Sequence, residues 1–149
     1  MPIVSESGES VDEAFGVIPI LRRGDAVLFL VIQHNAGHWA FPKGHAERDE
    51  DHAAAALREL FEETGIRDVV LDHSRIFVEQ YVKTTRSSAR VIRKTVRYFL
   101  GAVADPAVRL QPEEIRDHRW ATLDEARKLI TYAESRRMLD EAAQAIGIV

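Results

Sequence analysis

The segment from Glu50 to Thr64, EDHAAAALRELFEET, constrains the rest of the chain more than any other. Ala53, Ala56, Leu57, Leu60, Phe61 and Thr64 recur at helical spacing and draw one apolar stripe. Asp49 reads as the N-cap, and Gly65 as the left-handed residue just past the end. At about 100° per residue, Glu59, Glu62 and Glu63 share an arc of roughly 100°, on the side away from the stripe. The helix therefore buries one face and presents a cluster of carboxylates on another.

The flanking sequence supplies strands. Ala14 to Leu21 (AFGVIPIL) reads as one, with Pro19 where no ladder donor is needed. Ala26 to Gln33 (AVLFLVIQ) is a near-continuous apolar run, the pattern of a strand buried on both faces. Trp39 to Pro42 is short and extended, since Phe41 precedes a proline. Val69 to Leu71 reads as a short strand. Arg75 to Lys83 and Val91 to Val103 read as longer ones, joined by the polar tip Thr84 to Arg90. Glu113 to Trp120 is a polar approach to a strand-like end at His118 to Ala121. Thr122 and Glu125 form a capping box for a helix from Leu123 to about Ile130. A last helix runs from about Ala133 to Ile146, burying Met138, Leu139, Ala142 and Ile146. The expected architecture is one α+β domain over residues 13–149, a mixed sheet sandwiched between helices, behind a flexible tail over residues 1–12 that is rich in Ser, Glu and Gly.

At 149 residues the chain suits one domain with a full core. A net charge of −4 excludes a nucleic-acid-coating surface, which needs a basic face, so no stable nucleic-acid partner is expected. With no cysteine, disulfides and thiolate metal sites are out. No apolar run approaches the roughly 20 residues of a membrane span, and the N-terminus has no secretory pattern. The expectation is a soluble cytoplasmic protein, a monomer or weak homodimer.

Like charges three and four residues apart repel, and a helix tolerates such a cluster when cations neutralise it. Carboxylate oxygens are hard ligands. Mg²⁺ takes one or two of them and completes its shell with water and substrate phosphate oxygens. Arg58 sits beside the cluster, within reach of Glu62 or back to Glu50. The plain alternative is a solvated helix face laced with ion pairs.

The register of the whole stretch decides against that alternative. Gly44, Glu50, Arg58, Glu59, Leu60, Glu62, Glu63, Gly65 and Ile66 fill every specified position of the pattern G-x5-E-x7-R-E-U-x-E-E-x-G-U, where U is aliphatic. This resembles a complete Nudix box, 23 residues from Gly44 to Ile66. The resemblance implies a Nudix fold and Mg²⁺-dependent hydrolysis of a nucleoside diphosphate linked to another group, with Mn²⁺ as a possible substitute. It implies Glu59, Glu62, Glu63 and the Gly44 carbonyl as metal ligands, and a base that is Glu63 or a later acid, Glu114 or Glu113.

Residues outside the box address the substrate, a small nucleotide. His38-Trp39-Ala40-Phe41-Pro42-Lys43-Gly44-His45 resembles the HW-x-x-PKGH signature of asymmetric diadenosine tetraphosphate hydrolases, and Lys94 to Leu100 (KTVRYFL) is similar to their KTV-x-YWL strand. The same resemblance implies His38, Lys43 and Lys94 as polyphosphate contacts and Tyr132 as an aromatic that stacks on adenine. That group carries a second stacking aromatic in the loop before the Lys94 strand. Here its position falls near Ser87, and Thr84 to Arg90 holds no aromatic. Tyr81 is then the replacement, or Arg86 and Arg90 bind phosphate instead. Tyr98, Trp39 and Trp120 read as packing residues, and His45, His52, His73 and His118 as surface residues. Two other functions fit the same sequence. One is a Nudix pyrophosphohydrolase for an RNA 5′ end, an inositol pyrophosphate, a nucleoside triphosphate or a nucleotide sugar. The other is a Nudix module that binds a nucleotide without cleaving it.

Overall fold

The computed structural model describes residues 3–4, 10–84 and 90–148. In chain order the elements are β1 (Ile3–Val4), β2 (Ser10–Arg23), β3 (Ala26–His34), β4 (Trp39–Ala40), β5 (Lys43–Gly44), α1 (His52–Thr64), β6 (Val69–Thr84), β7 (Val91–Val103), β8 (Ile115–Ala121), α2 (Leu123–Leu129) and α3 (Ala133–Ala145). Among the described residues the strands form one eight-stranded sheet with the main path β4-β3-β2-β7-β6. To this β2 adds β1 and β5, and β3 adds β8. The sheet is mixed because β2 runs parallel to β7, while the other pairs are antiparallel.

Alternation along the strands separates two cores. Ala14, Ile18, Phe29, Val31, Val96, Tyr98 and Leu100 face α2 and α3, which contribute Leu123, Ala126, Met138, Leu139, Ala142 and Ala143. Phe15, Val17, Leu30, Ile32, Phe99 and Val103 face α1, which contributes Ala55, Ala56 and Leu60. The continuous apolar runs at β2, β3 and β7 are therefore the central strands, covered on both sides. Pro19 lies between the two stretches where β2 pairs on that edge, Phe15–Gly16 with β5 and Ile20–Arg23 with β3. Its missing N–H falls where no partner strand asks for one.

Several expectations need correction. Val69 to Leu71 and Arg75 to Lys83 are one strand, β6, with a register shift between Asp72 and Phe77. Asp72 Oδ1 accepts from Ser74 N (2.9 Å) and Ser74 Oγ (2.6 Å), a local turn that absorbs the extra residues without ending the strand. Ser10, Val11 and Asp12, assigned to the tail, begin β2 and pair with Ile92, Arg93 and Lys94, while Ile3 and Val4 add a short strand to the opposite edge of β2. Strand β8 starts at Ile115, whose side chain is fully buried, before the expected His118. The N-cap of α1 is Asp51, which accepts from Ala54 N at 2.7 Å. Asp49 instead adopts a left-handed turn conformation, φ 63°. The capping box at Thr122 and Glu125 and the left-handed Gly65 (φ 73°) stand as expected. Both tryptophans are half-buried packing residues, Trp39 against the α3-side core and Trp120 against the α1-side core.

Close packing of β5 against β2 carries the glycine loop into place. A Cβ added at Gly16 would collide with the Pro42 carbonyl oxygen, and would lie 2.7 Å from Tyr98 Cε1 and 2.8 Å from Lys43 Cβ. Lys43 lies in β5, the Pro42 carbonyl accepts from Val17 N at 3.1 Å, and the third partner is a fully buried ring. Gly16→Ala should therefore cost about 2 kcal/mol through overpacking, read as a lowered urea midpoint at unchanged m-value.

Candidate active site

Helix α1 meets the sheet with its buried face rotated from the expected stripe. Ala55, Ala56, Leu60, Glu63 and Thr64 are inside. Leu57 is exposed, and Phe61 lies half-buried under the Arg67 guanidinium, 4.2 Å from its ring centre. Glu63 thus belongs to the packed side, only 2% exposed, although it is an acid. Its Oε1 accepts from the backbone N of Lys43 at 3.0 Å. Burial pushes its pKa up to about 8, and the charges of Glu59 and Glu114 add to that rise. Glu59 is also raised, first by burial, then by Glu62 and Glu114.

One arginine organises the cluster. Arg58 Nε and Nη2 bind the two oxygens of Glu50 at 2.8 and 3.0 Å, a bidentate pair. Arg58 Nη1 lies 3.1 Å from both Glu59 and Glu62, and Nη2 also donates to the His45 carbonyl at 2.8 Å. Glu50 is itself steadied by the backbone N of Glu47 at 2.9 Å. Among the described residues no three His, Asp or Glu side chains already converge as a metal set, and the cation between Glu59 and Glu62 is Arg58.

The donors nevertheless fit a hard divalent ion. A Cβ on Gly44 would fall inside the Glu59 carboxylate, so only glycine allows that carboxylate against the backbone at this point. Burial and neighbouring acids disfavour the ionised forms of Glu59 and Glu63, and a bound cation would favour them. Glu62 stands at the outer edge of the cluster, its side chain 42% exposed.

The opposite face of β2, β7 and β6 continues the α3-side core into a polar end. Register places Asp12, Lys94 and Tyr81 side by side, with Ala14, Val96 and Glu79 in the next row. Lys94 Nζ is 3.3 Å from Asp12 Oδ2. Tyr81 is half-buried, its pKa raised to about 12 by burial and by the neighbouring Glu79, Asp12 and Tyr132. Tyr132 precedes α3, stands 55% exposed, and tilts toward the His38 ring at 5.7 Å. Reciprocal bonds fix that junction: Trp39 N donates to Thr131 Oγ1 (2.8 Å) and Thr131 N to the Trp39 carbonyl (3.2 Å).

The expected site residues therefore fall into two connected groups. Gly44, Arg58, Glu59, Glu62 and Glu63 lie together at α1, and the Glu114 charge reaches Glu59 and Glu63. His38, Lys94, Tyr81 and Tyr132 lie toward α3. Lys43 joins the groups: its backbone holds Glu63, and its charge adds to the burial that lowers the His38 pKa. Arg86 and Ser87 lie outside the described residues, and Arg90 is exposed just before β7. Of the surface histidines, His52 stacks on Phe15 at 4.1 Å and His73 meets Phe99 edge-on at 5.7 Å. His45 is a surface residue, its side chain 56% exposed, and its Nε2 donates to Asp12 Oδ1 at 2.7 Å.

The sequence reading missed four residues. Lys83 adds to the charge that depresses His38. Asp12 was counted in the tail. Glu79 is a buried acid whose Oε2 accepts from Ser135 Oγ at 2.5 Å. His34 stacks on His38 at 4.2 Å, and its spacing of four from His38 was the available signal.

A family model described as NUDIX domain matches residues 11–142. The rat bis(5'-nucleosyl)-tetraphosphatase [asymmetrical] is 38% identical over 119 residues, covering 78% of each chain. The pig protein of the same name is 36% identical over 88% of this chain and 92% of its own. A crystal structure of a Caenorhabditis elegans Ap4A hydrolase binary complex superimposes with TM-score 0.77 at 26% identity, over 91% of this chain and 97% of that one.

The His34 ring makes the site's surroundings acid-sensitive. Burial, then the His38 and Lys43 charges, lower its pKa to about 4, and its buried Nε2 has no partner among the described residues. The fold accommodates the neutral ring. The stability this permits is intact above 6.5 and is lost as pH falls toward about 4. His34→Gln takes up no proton there, so its unfolding free energy should decline less than that of wild type between pH 6.5 and 4. Urea titrations at steps across that window read the difference, and parallel declines would exonerate the ring.

Proposed function

The chain belongs to the Nudix hydrolase family, and on that footing we propose that it cleaves dinucleoside polyphosphates, splitting diadenosine tetraphosphate asymmetrically into ATP and AMP with Mg²⁺. The observation that carries this reading is the place of Lys43 between the two groups. Its backbone N is bonded to Glu63 while its charge acts on His38, so a polyphosphate running past Lys43 would reach from the carboxylate cluster to the aromatic pair of His38 and Tyr132. The likeness to the rat and pig enzymes points to the same substrate class.

In this reading Glu59, Glu63 and the Gly44 carbonyl hold Mg²⁺, with Glu62 at the edge of the shell and Mn²⁺ as a substitute. The bound ion would acidify a water and offset charge on the phosphate oxygens. Arg58 keeps Glu50, Glu59 and Glu62 in one frame. Lys43, His38 and Lys94 bind phosphate oxygens, and Tyr132 stacks on one adenine with Tyr81 as its partner. Water attacks one phosphorus, its proton passes to Glu63 or Glu114, and the bond to the departing nucleotide breaks. The protein acts in the cytoplasm as a monomer or weak homodimer. No helix among the described residues is long and apolar enough to cross a membrane.

Incubation with diadenosine tetraphosphate and Mg²⁺, followed by nucleotide separation, should give equal ATP and AMP. Two ADP would contradict the asymmetric cut, and faster turnover of an RNA 5′ end or a nucleotide sugar would move the substrate assignment. EDTA should abolish turnover. Glu63→Gln should lower kcat by about a thousandfold, the upper range for removing one transition-state stabiliser. If wild type and Glu63→Gln are equally inert on every substrate, the protein binds nucleotide without cleaving it.

A further inference from the structure

Asp12 ties together two parts of the site that lie on different elements. It sits near the start of β2, its side chain only 16% exposed, and register fixes it beside Lys94 of β7. One oxygen, Oδ1, accepts from His45 Nε2 at 2.7 Å, and the other, Oδ2, lies 3.3 Å from Lys94 Nζ. Burial pushes this carboxylate toward neutrality, but His45 and Lys94 together outweigh it and keep the acid below its ordinary range.

His45 directly follows Gly44. Gly44 has no side chain with which to hold itself, and a Cβ there would displace Glu59. Its neighbour is gripped twice instead: Arg58 Nη2 donates to the His45 carbonyl at 2.8 Å, and Asp12 takes the ring. Arg58 is anchored on α1 and Asp12 on the sheet, so the Gly44–His45 peptide is fixed from both sides. With the ring released, His45 would keep its bond to Arg58 but lose its tie to the sheet at Asp12.

We propose that Asp12 is a positioning residue that holds the Gly44–His45 peptide for Mg²⁺ and Lys94 for the polyphosphate in a single frame. This rests on the functional reading above. It acts through its neighbours and touches neither ion nor substrate. Partners of this outer kind change metal affinity by about 10–100-fold when removed.

The test uses the full chain. Mg²⁺ binding is measured by calorimetry without substrate, urea stability in parallel, and KM and kcat with diadenosine tetraphosphate. Asp12→Ala should weaken Mg²⁺ binding about tenfold and raise KM. His45→Ala should weaken Mg²⁺ binding alike, and the double variant no further, because both remove the same grip. Lys94→Met should raise KM with Mg²⁺ affinity unchanged. Asp12→Asn keeps an acceptor for His45 but no charge for Lys94, so it should restore Mg²⁺ affinity while KM stays high. That split also carries the test if Asp12→Ala fails to fold, since a merely structural role would not divide the two constants. Normal Mg²⁺ binding in Asp12→Ala, or additive effects in the double variant, overturns the positioning role alone. Wild type that neither binds Mg²⁺ nor turns over substrate overturns the functional reading with it.

Discussion

A single guanidinium holds the site open. Arg58 lies among Glu50, Glu59, Glu62 and the His45 carbonyl, and each of these four is within 3.1 Å. Without that cation, Glu59 and Glu62 would stand unpaired at three-residue spacing beside Glu50 of the loop, an arrangement that repels itself. The pair with Glu50 is the strong member, because it is bidentate and planar. It also gives the loop between β5 and α1 its shape, since Glu50 is steadied by Glu47 and His45 by Arg58. Lysine could supply the charge but not the fork.

The second constraint is the burial of Glu63. A helix normally turns apolar residues inward, and the apolar stripe of α1 suggested that it would. The chain gives up part of that face. Leu57 and Phe61 move outward, and an acid goes in, bonded to the Lys43 amide. Packing alone would choose the other rotation. The price of this choice is a carboxyl group that favours its neutral form, and a divalent ion would reverse that preference.

Much of this could be read from the residues. The two-sided strands, the capping box at Thr122, the Gly65 stop and the whole register from Gly44 to Ile66 depend on local rules, and they appear where those rules put them. What the sequence hid depends on pairing between distant segments. Asp12 reads as tail because its partners, His45 and Lys94, lie 33 and 82 positions away. Glu79 reads as an outward residue of an alternating strand until Ser135 of α3 covers it. The helix is capped at Asp51 rather than Asp49, because Asp49 takes a left-handed turn conformation and it is Asp51 that accepts from Ala54 N.

The parallel ladder between β2 and β7 has a consequence in time. Its partners, from Ser10 with Ile92 to Ile20 with Ala102, are all 82 positions apart. Contacts of that span close late, after local helices and hairpins have formed. A nascent chain that ends before β7 already owns Arg58 and every carboxylate of α1, yet it lacks the strand that brings Lys94 to Asp12. The two halves of the site thus mature on different clocks. The half that would grip a metal is written within one short stretch, whereas the half that would grip a polyphosphate waits for the sheet to close.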